Sequence, residues 1–143
     1  MFVYLFSIVA KYFFKIEMKK KIIKEFIKIN VQGWRSELKN SFTKNLFKSI
    51  AHWNIILLIA QSTYFSRDYS FEKLCKLINP SVASRATIQR ILLELIDLKL
   101  IEKQISDNDQ RIKFFYLTVQ GKELFNDYVE EEIATFKSMR DLL

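Results

Sequence analysis

Two glycines, one proline, one cysteine and one histidine are all that the 143 residues contain of these four types. Each scarcity removes a class of chemistry. Glycine-rich loops that cradle phosphates need more glycine than the chain owns. There is no CxxC, HExxH or other Cys/His cluster, so neither a structural zinc site nor a histidine-based catalytic site has the residues to form. A lone cysteine, Cys75, cannot close an internal disulfide, which accords with a reducing, cytoplasmic setting. On these grounds no enzyme activity, metal or cofactor is expected. The shortage of breakers also favours long helices. The apolar run at the start ends at Ala10, with Lys11 and Lys15 behind it, so it is too short to span a bilayer. It has neither the preceding positive charge nor the small-residue cleavage pattern of a secretory signal. Residues 1–17 then read either as a greasy helix that packs on a partner or as an overextended start before Met18.

What the chain does have is enough hydrophobic residues for a full core, half of its residues being hydrophobic, and a net charge of +7. That charge is uneven. Residues 1–45 carry ten Lys/Arg against three Asp/Glu, whereas the remainder carries thirteen of each. A basic segment of this kind attracts nucleic acid or anionic lipid, or is a solvated helix face. From Ile16 to Ile29, apolar residues at 16, 22, 23, 26 and 27 alternate with lysines at helical spacing. A second helical stretch places Trp34, Leu38 and Phe42 four apart. A third starts at Ser49, a natural N-cap, with an apolar face from Ile50 through Trp53, Ile56, Leu57 and Ala60. His52 lies beside Trp53 and is expected to be structural rather than a ligand.

The centre of the chain carries the more specific pattern. "SFEKLCKLIN" is a short helix capped by Ser70, with Phe71, Leu74, Cys75 and Ile78 on one face, which makes Cys75 a core thiol. "NPSVAS" is a turn. "SRATIQRILLELIDLKL" follows as a helix that buries Ile88, Ile91, Leu92, Leu95 and Leu98 and turns Arg85, Ala86, Gln89 and Arg90 outward. Two short helices, a tight turn and a polar first half on the second describe a helix-turn-helix. Next, "LIEKQIS" alternates as a strand, "DNDQ" is turn chemistry and "RIKFFYL" is rich in β-branched and aromatic residues. A helix-turn-helix followed by such a hairpin is a winged helix. Thr118 then caps a last helix with Val119, Leu124, Phe125, Tyr128, Val129, Ile133 and Phe136 as its apolar residues. The expected fold is mostly α with a small two-stranded β-hairpin, the wing. Basic helical arms occupy residues 1–45, the winged helix-turn-helix 46–118 and a C-terminal helix 119–143.

The run from Ser49 to Gly121 resembles the MarR family (multiple antibiotic resistance regulators). The family's wing reads Asp-Arg-Arg, about six residues of strand, Leu-Thr, two residues and Gly. This chain has Asp109-Gln110-Arg111, "IKFFY", Leu117-Thr118 and Gly121 in the same register. "SIAHWNIILLIA" is similar to the family's Leu-Thr-x-x-Gln-Trp helix start, and "SRATIQRILLEL" to its recognition helix. The resemblance implies a dimeric, sequence-specific regulator of transcription on double-stranded DNA, with helix 84–98 in the major groove and wing 101–117 at the minor groove. It also implies a homodimer and an apolar pocket open to small aromatic effectors. Three departures stand out. Lys99 takes a position where the family has glycine, Gln110 replaces the first wing arginine, and only residues 119–143 remain for dimer helices.

Under that reading Arg85 bonds guanine bidentately, Gln89 pairs with adenine and Thr87 meets a thymine methyl or a phosphate, while Arg90 reaches phosphate. Amides around Ser84 favour a phosphate. Arg111 is the cation for the minor groove, and Lys113 meets phosphate. Asp109, by the resemblance, holds the Arg111 guanidinium in an ion pair; a simple Asx-type turn is the plainer role and is compatible with it. Two other readings compete: a winged-helix module for protein–protein contact, and attachment of residues 1–30 to anionic lipid, with a dimer arm preferred over the membrane.

Overall fold

A computed structural model describes residues 15, 17–28 and 41–141. The initial apolar run and the Trp34–Leu38 part of the second expected helix lie outside these residues. The described residues belong to two compact units, one within Leu38–Tyr128 and one combining the N-terminal residues with the chain from Val129 onward.

In the second of these, α1 covers 17–28 and exposes Ile23, Phe26 and Ile27. Lys20–Glu17 and Lys28–Glu25 pairs flank that apolar stripe at i,i+3 spacing. The same unit holds the distal turns of α6, where Ile133 and Phe136 are also exposed.

The larger unit runs α2 (Ser41–Leu46), α3 (Ile50–Tyr64), α4 (Phe71–Leu77), α5 (Arg85–Asp97), β1 (Ile101–Ile105), β2 (Lys113–Leu117) and the start of α6 (Val119–Arg140). Its helix starts are set by short hydroxyl side chains. Ser49, Ser70 and Ser84 stand in extended backbone and accept the amides of His52, Lys73 and Thr87, each at 3.2 Å. Between α4 and α5, the Asn79 carboxamide oxygen accepts the Ser81 amide at 2.9 Å while the Asn79 carbonyl accepts that of Val82 at 2.8 Å. That Asx-supported turn, with Pro80 inside it, fixes the angle of the helix-turn-helix.

The core is built from Phe42, Leu46, Ile55, Ile56, Ile59, Leu74, Ile88, Ile91, Leu95, Leu100 and Ile101, all almost fully buried. Two expectations about helix faces need correcting. In α3, Ile50 is 71% exposed and Trp53 and Leu57 are half-buried, while Ala51, Ile55, Ile56, Ile59 and Ala60 face inward. This helix is apolar over most of its circumference, so periodicity does not choose its face; packing on α2, α5 and β2 does. At the end of α5, Leu98 is 38% exposed and Leu100 takes the buried place instead. The cause is a Schellman motif: Lys99 has φ 57°, its amide reaches Ile96 O at 2.9 Å, and the Leu100 amide reaches Leu95 O at 3.0 Å. Cys75 is half-buried rather than a core thiol.

The wing is an antiparallel hairpin in which Ile101 faces Leu117 and Ile105 faces Lys113. Its root is buried at Ile101, Phe115 and Leu117, whereas Ile105 at the far end is 60% exposed, so the hairpin projects into solvent. A further contact was not foreseen from "SRDYS". The Phe115 amide donates to Tyr69 O at 3.2 Å and Ser70 bridges Phe114, adding a one-residue third strand. Ser62, fully buried, donates from its hydroxyl to Phe115 O at 3.0 Å, and Thr63 Oγ1 accepts the Leu117 amide at 2.9 Å. Both contacts tie α3 to β2.

Where the wing returns, Thr118 caps α6 as expected. Its Oγ1 accepts the Gly121 amide at 3.0 Å and donates to Lys99 O at 2.6 Å. Gly121 is required by space: a Cβ there would lie 2.1 Å from Leu100 O. Phe125 and Tyr128 then carry α6 onto an aromatic cluster with Phe42, Phe47, Trp53 and Tyr64, at centroid separations of 5.4 to 6.4 Å.

Candidate nucleic-acid interface

Helix α5 divides lengthwise. Ile88, Ile91, Leu92 and Leu95 are buried, and Arg85, Ala86, Gln89 and Arg90 are exposed along the first two turns of the opposite face. Further along that face come Glu94 and Asp97. The cations therefore sit at the N-terminal half and the anions at the C-terminal half, so a polyanion meets this helix favourably only by its first turns.

Each expected reader has a distinct setting. The Ser84 hydroxyl lies 3.0 Å from Thr87 Oγ1 and accepts the Thr87 amide, so that amide is already engaged by the cap. Thr87 is half-buried, and Gln89 is exposed. Arg90 Nη1 stands 3.7 Å from Glu94 Oε2. Arg85 is the most constrained. Its Nη1 donates to Glu72 Oε2 at 2.9 Å and its Nη2 to Glu72 Oε1 at 2.5 Å, while the guanidinium lies 5.0 Å from the centre of the Phe71 ring. Hydrogen bonding to Arg85 holds the Glu72 carboxyl below its ordinary pKa, and the same bonds raise that of Arg85. Glu72 was not singled out in the sequence: the pair is thirteen residues apart and meets only because the turn brings the starts of α4 and α5 together.

At the wing tip, Ser106 N donates to Ile112 O at 2.9 Å and Ile112 N to Asp109 O at 3.0 Å, closing the loop. Asp109 Oδ1 accepts the Arg111 backbone amide at 2.9 Å. This corrects the expected ion pair. No contact within 4 Å joins the Asp109 carboxylate to the Arg111 guanidinium; the contact it makes with Arg111 is to the backbone amide. Arg111 and Lys113 are both exposed, and among the described residues neither is in an ion pair. With Gln110 between Asp109 and Arg111, the tip presents a single arginine.

Behind the α5 face, Glu94 collects charges that sequence reasoning missed. Lys48 Nζ hydrogen-bonds Glu94 Oε1, and His52 Nε2 lies 3.5 Å from Glu94 Oε2. His52 is buried, with Nδ1 2.8 Å from Ser49 Oγ. Burial pulls the imidazole below its ordinary pKa, and the Glu94 contact opposes this. The Lys48 hydrogen bond leads in lowering the Glu94 carboxyl. Elsewhere, a groove of about 740 Å³ runs along α3 between Leu57, Tyr64 and Phe125, with Asn54, Gln61 and the Tyr64 hydroxyl as its polar groups and no cation in its lining among the described residues. Among the described residues, no group of three His, Cys, Asp or Glu could hold a metal, and no helix is long and apolar enough to cross a membrane.

No protein-family model matches the chain, and no curated protein matches it. Solved structures do. FabT of Streptococcus pneumoniae in complex with DNA is similar over 95% of this chain and 82% of its own, at 19% identity and a TM-score of 0.54. The MepR–DNA complex of S. aureus is similar over 81% and 90%, at 14% identity and a TM-score of 0.54. NadR in complex with 4-hydroxyphenylacetate is similar over 81% and 79%, at 25% identity and a TM-score of 0.50. With its helix-turn-helix, wing and flanking helices in this order, the chain has the MarR-type winged helix-turn-helix fold.

Proposed function

We propose that this protein is a transcriptional regulator that binds double-stranded DNA as a homodimer and has no enzymatic activity. The observation that carries the reading is the pairing of two exposed elements in one unit: the Arg85–Arg90 face of α5 and the wing with Arg111 at its tip. The first turns of α5 enter the major groove, where Gln89 is the side chain freest to reach a base edge. Arg111 enters the adjacent minor groove, whose negative potential favours a guanidinium. Arg90 and Lys113 meet phosphates, positioning rather than specifying. Two solved relatives in fold are DNA complexes, which supports the same partner.

The dimer is assigned to residues 1–45 and 119–143, whose exposed apolar side chains on α1 and distal α6 need covering. Effector binding is assigned to the α3 groove. NadR is complexed with an aromatic acid. Here the described lining is mostly apolar, with Leu57, Leu58, Phe65 and Phe125 around Asn54 and Gln61, which suits a small aromatic compound.

Selection of bound sequences from random duplex DNA tests the reading, with a two-fold symmetric motif expected. Arg111→Ala should weaken binding to that motif by roughly tenfold or more while leaving the melting temperature within a few degrees, since the side chain is exposed. Unchanged affinity at physiological salt would remove the wing from the interface.

A further inference from the structure

The Arg85–Glu72 pair has a chemical consequence for what Arg85 can recognise. We infer that Glu72 is a specificity-determining positioning residue, which converts Arg85 from a phosphate binder into a reader of a neutral base edge. The inference rests on the DNA-binding reading above.

A guanidinium offers five N–H donors in a fixed plane. Glu72 takes one from each terminal nitrogen, at 2.9 and 2.5 Å, and Phe71 lies 5.0 Å from the guanidinium carbon. One two-donor edge is left over, Nε–H with the outer Nη2 N–H. Two kinds of partner fit that edge by shape: a phosphate with two oxygens, or a guanine with O6 and N7. They differ in charge. With a carboxylate in bonding contact the local net charge is near zero, and a phosphate brought to the free edge meets Glu72 as a like charge. A guanine edge is neutral and loses only the ionic part of the attraction. The carboxylate therefore penalises the backbone more than the base. Held by Glu72 and Phe71, the side chain also has less freedom to surrender on contact.

The fold makes this arrangement specific to Arg85. Arg90, one turn further along, is 3.7 Å from Glu94 without the two-pronged geometry, and among the described residues no carboxylate pairs with the Arg111 guanidinium. Among the arginines assigned to DNA, only Arg85 is both neutralised and fixed in direction.

The test is a sequence selection combined with salt titration on full-length wild type, Arg85→Ala, Glu72→Gln and the exchanged pair Glu72→Arg with Arg85→Glu. Wild type should prefer guanine at one position of each half-site. Arg85→Ala should lose that preference by about tenfold without changing the slope of log K against log salt. Glu72→Gln frees the cation. It should blur the same position, raise affinity for random duplex and steepen the slope by about 0.9 per monomer. The exchanged pair restores the ion pair and its contribution to folding but not the preference, a result that a merely structural bridge would not give. Two results overturn the inference while leaving DNA binding intact. One is a shallower slope with uniform weakening in Arg85→Ala, which marks a phosphate contact. The other is a Glu72→Gln protein with wild-type preference and slope. Should wild type enrich no sequence and bind no duplex, the functional reading fails and this inference goes with it.

Discussion

Lys99 sits at φ 57°, a backbone conformation that costs a residue with a Cβ about 1 kcal/mol or more. Lys99→Gly should therefore raise stability by about 0.5–1 kcal/mol net of the glycine's greater freedom when unfolded, read as a higher urea midpoint at unchanged slope. Gly121 is the opposite case. Gly121→Ala drives a methyl into Leu100 O, 2.1 Å away, and should cost about 2–4 kcal/mol, read in the same titration; a loss below about 0.5 kcal/mol would mean that α6 yields easily. The family resemblance marked Lys99 as a position where glycine is usual, and φ 57° there gives the physical reason. The sequence did not disclose which contacts Asp109 would make. An Asp two residues before an Arg can make an Asx turn, an ion pair or both, and local spacing does not decide among them. Nor was Glu72 legible, since its partner lies across a turn whose angle only the packed fold sets.

At the scale of elements, α3 and α5 are joined by the Lys48–Glu94–His52 contacts. The buried imidazole has a folded pKa below its ordinary 6.5, so the unfolded chain takes up the proton first as pH falls. Stability from this source is whole above pH 6.5 and declines as pH drops through that value toward the folded pKa. A lower urea midpoint at pH 5.5 than at pH 7.5 is expected, with the difference reduced in His52→Gln. An equal difference in both proteins would place the titrating group elsewhere. Glu94, whose folded pKa is also lowered, loses its contribution only further into acid, below its ordinary 4.5. Element types were legible because serine caps, turn residues and the helix-to-strand change of period agree from Ser49 to Thr118. The exposed side of α3 was not, and neither was the strand contact at Tyr69–Ser70. The first has apolar residues on every side, and the second is made by backbone atoms that any sequence supplies.

For the whole molecule, charge sets how hard DNA would be held under the proposed function. Between Arg67 and Leu117 the chain has nine cations and seven anions, whereas residues 1–45 account for the whole net charge of +7. If three to five phosphates are neutralised per monomer, the dimer should show a log K versus log salt slope of roughly −5 to −9. A slope near −1 in fluorescence anisotropy would be incompatible with a DNA-binding dimer of this kind. The resemblance of the wing motif pointed to the winged-helix fold, and the solved structures bear that out despite low identity. The geometry of the proposed dimer was not legible, because a pairing between two chains leaves no local sequence pattern.

The contact between Gly121 and Leu100 O has a mechanical side. The end of α5, the root of the wing and the first turn of α6 are tied at one point by the Thr118 hydroxyl on Lys99 O, the Thr118 amide on Leu100 O and a glycine pressed against that same carbonyl. No compressible side chain lies between the two backbones at this point. A tilt imposed on the start of α6 would thus be handed to the end of α5 as a displacement, like a lever working on a short, stiff fulcrum. Replacing Gly121 would do more than strain the joint: it would reset the angle at which one arm of the lever leaves it.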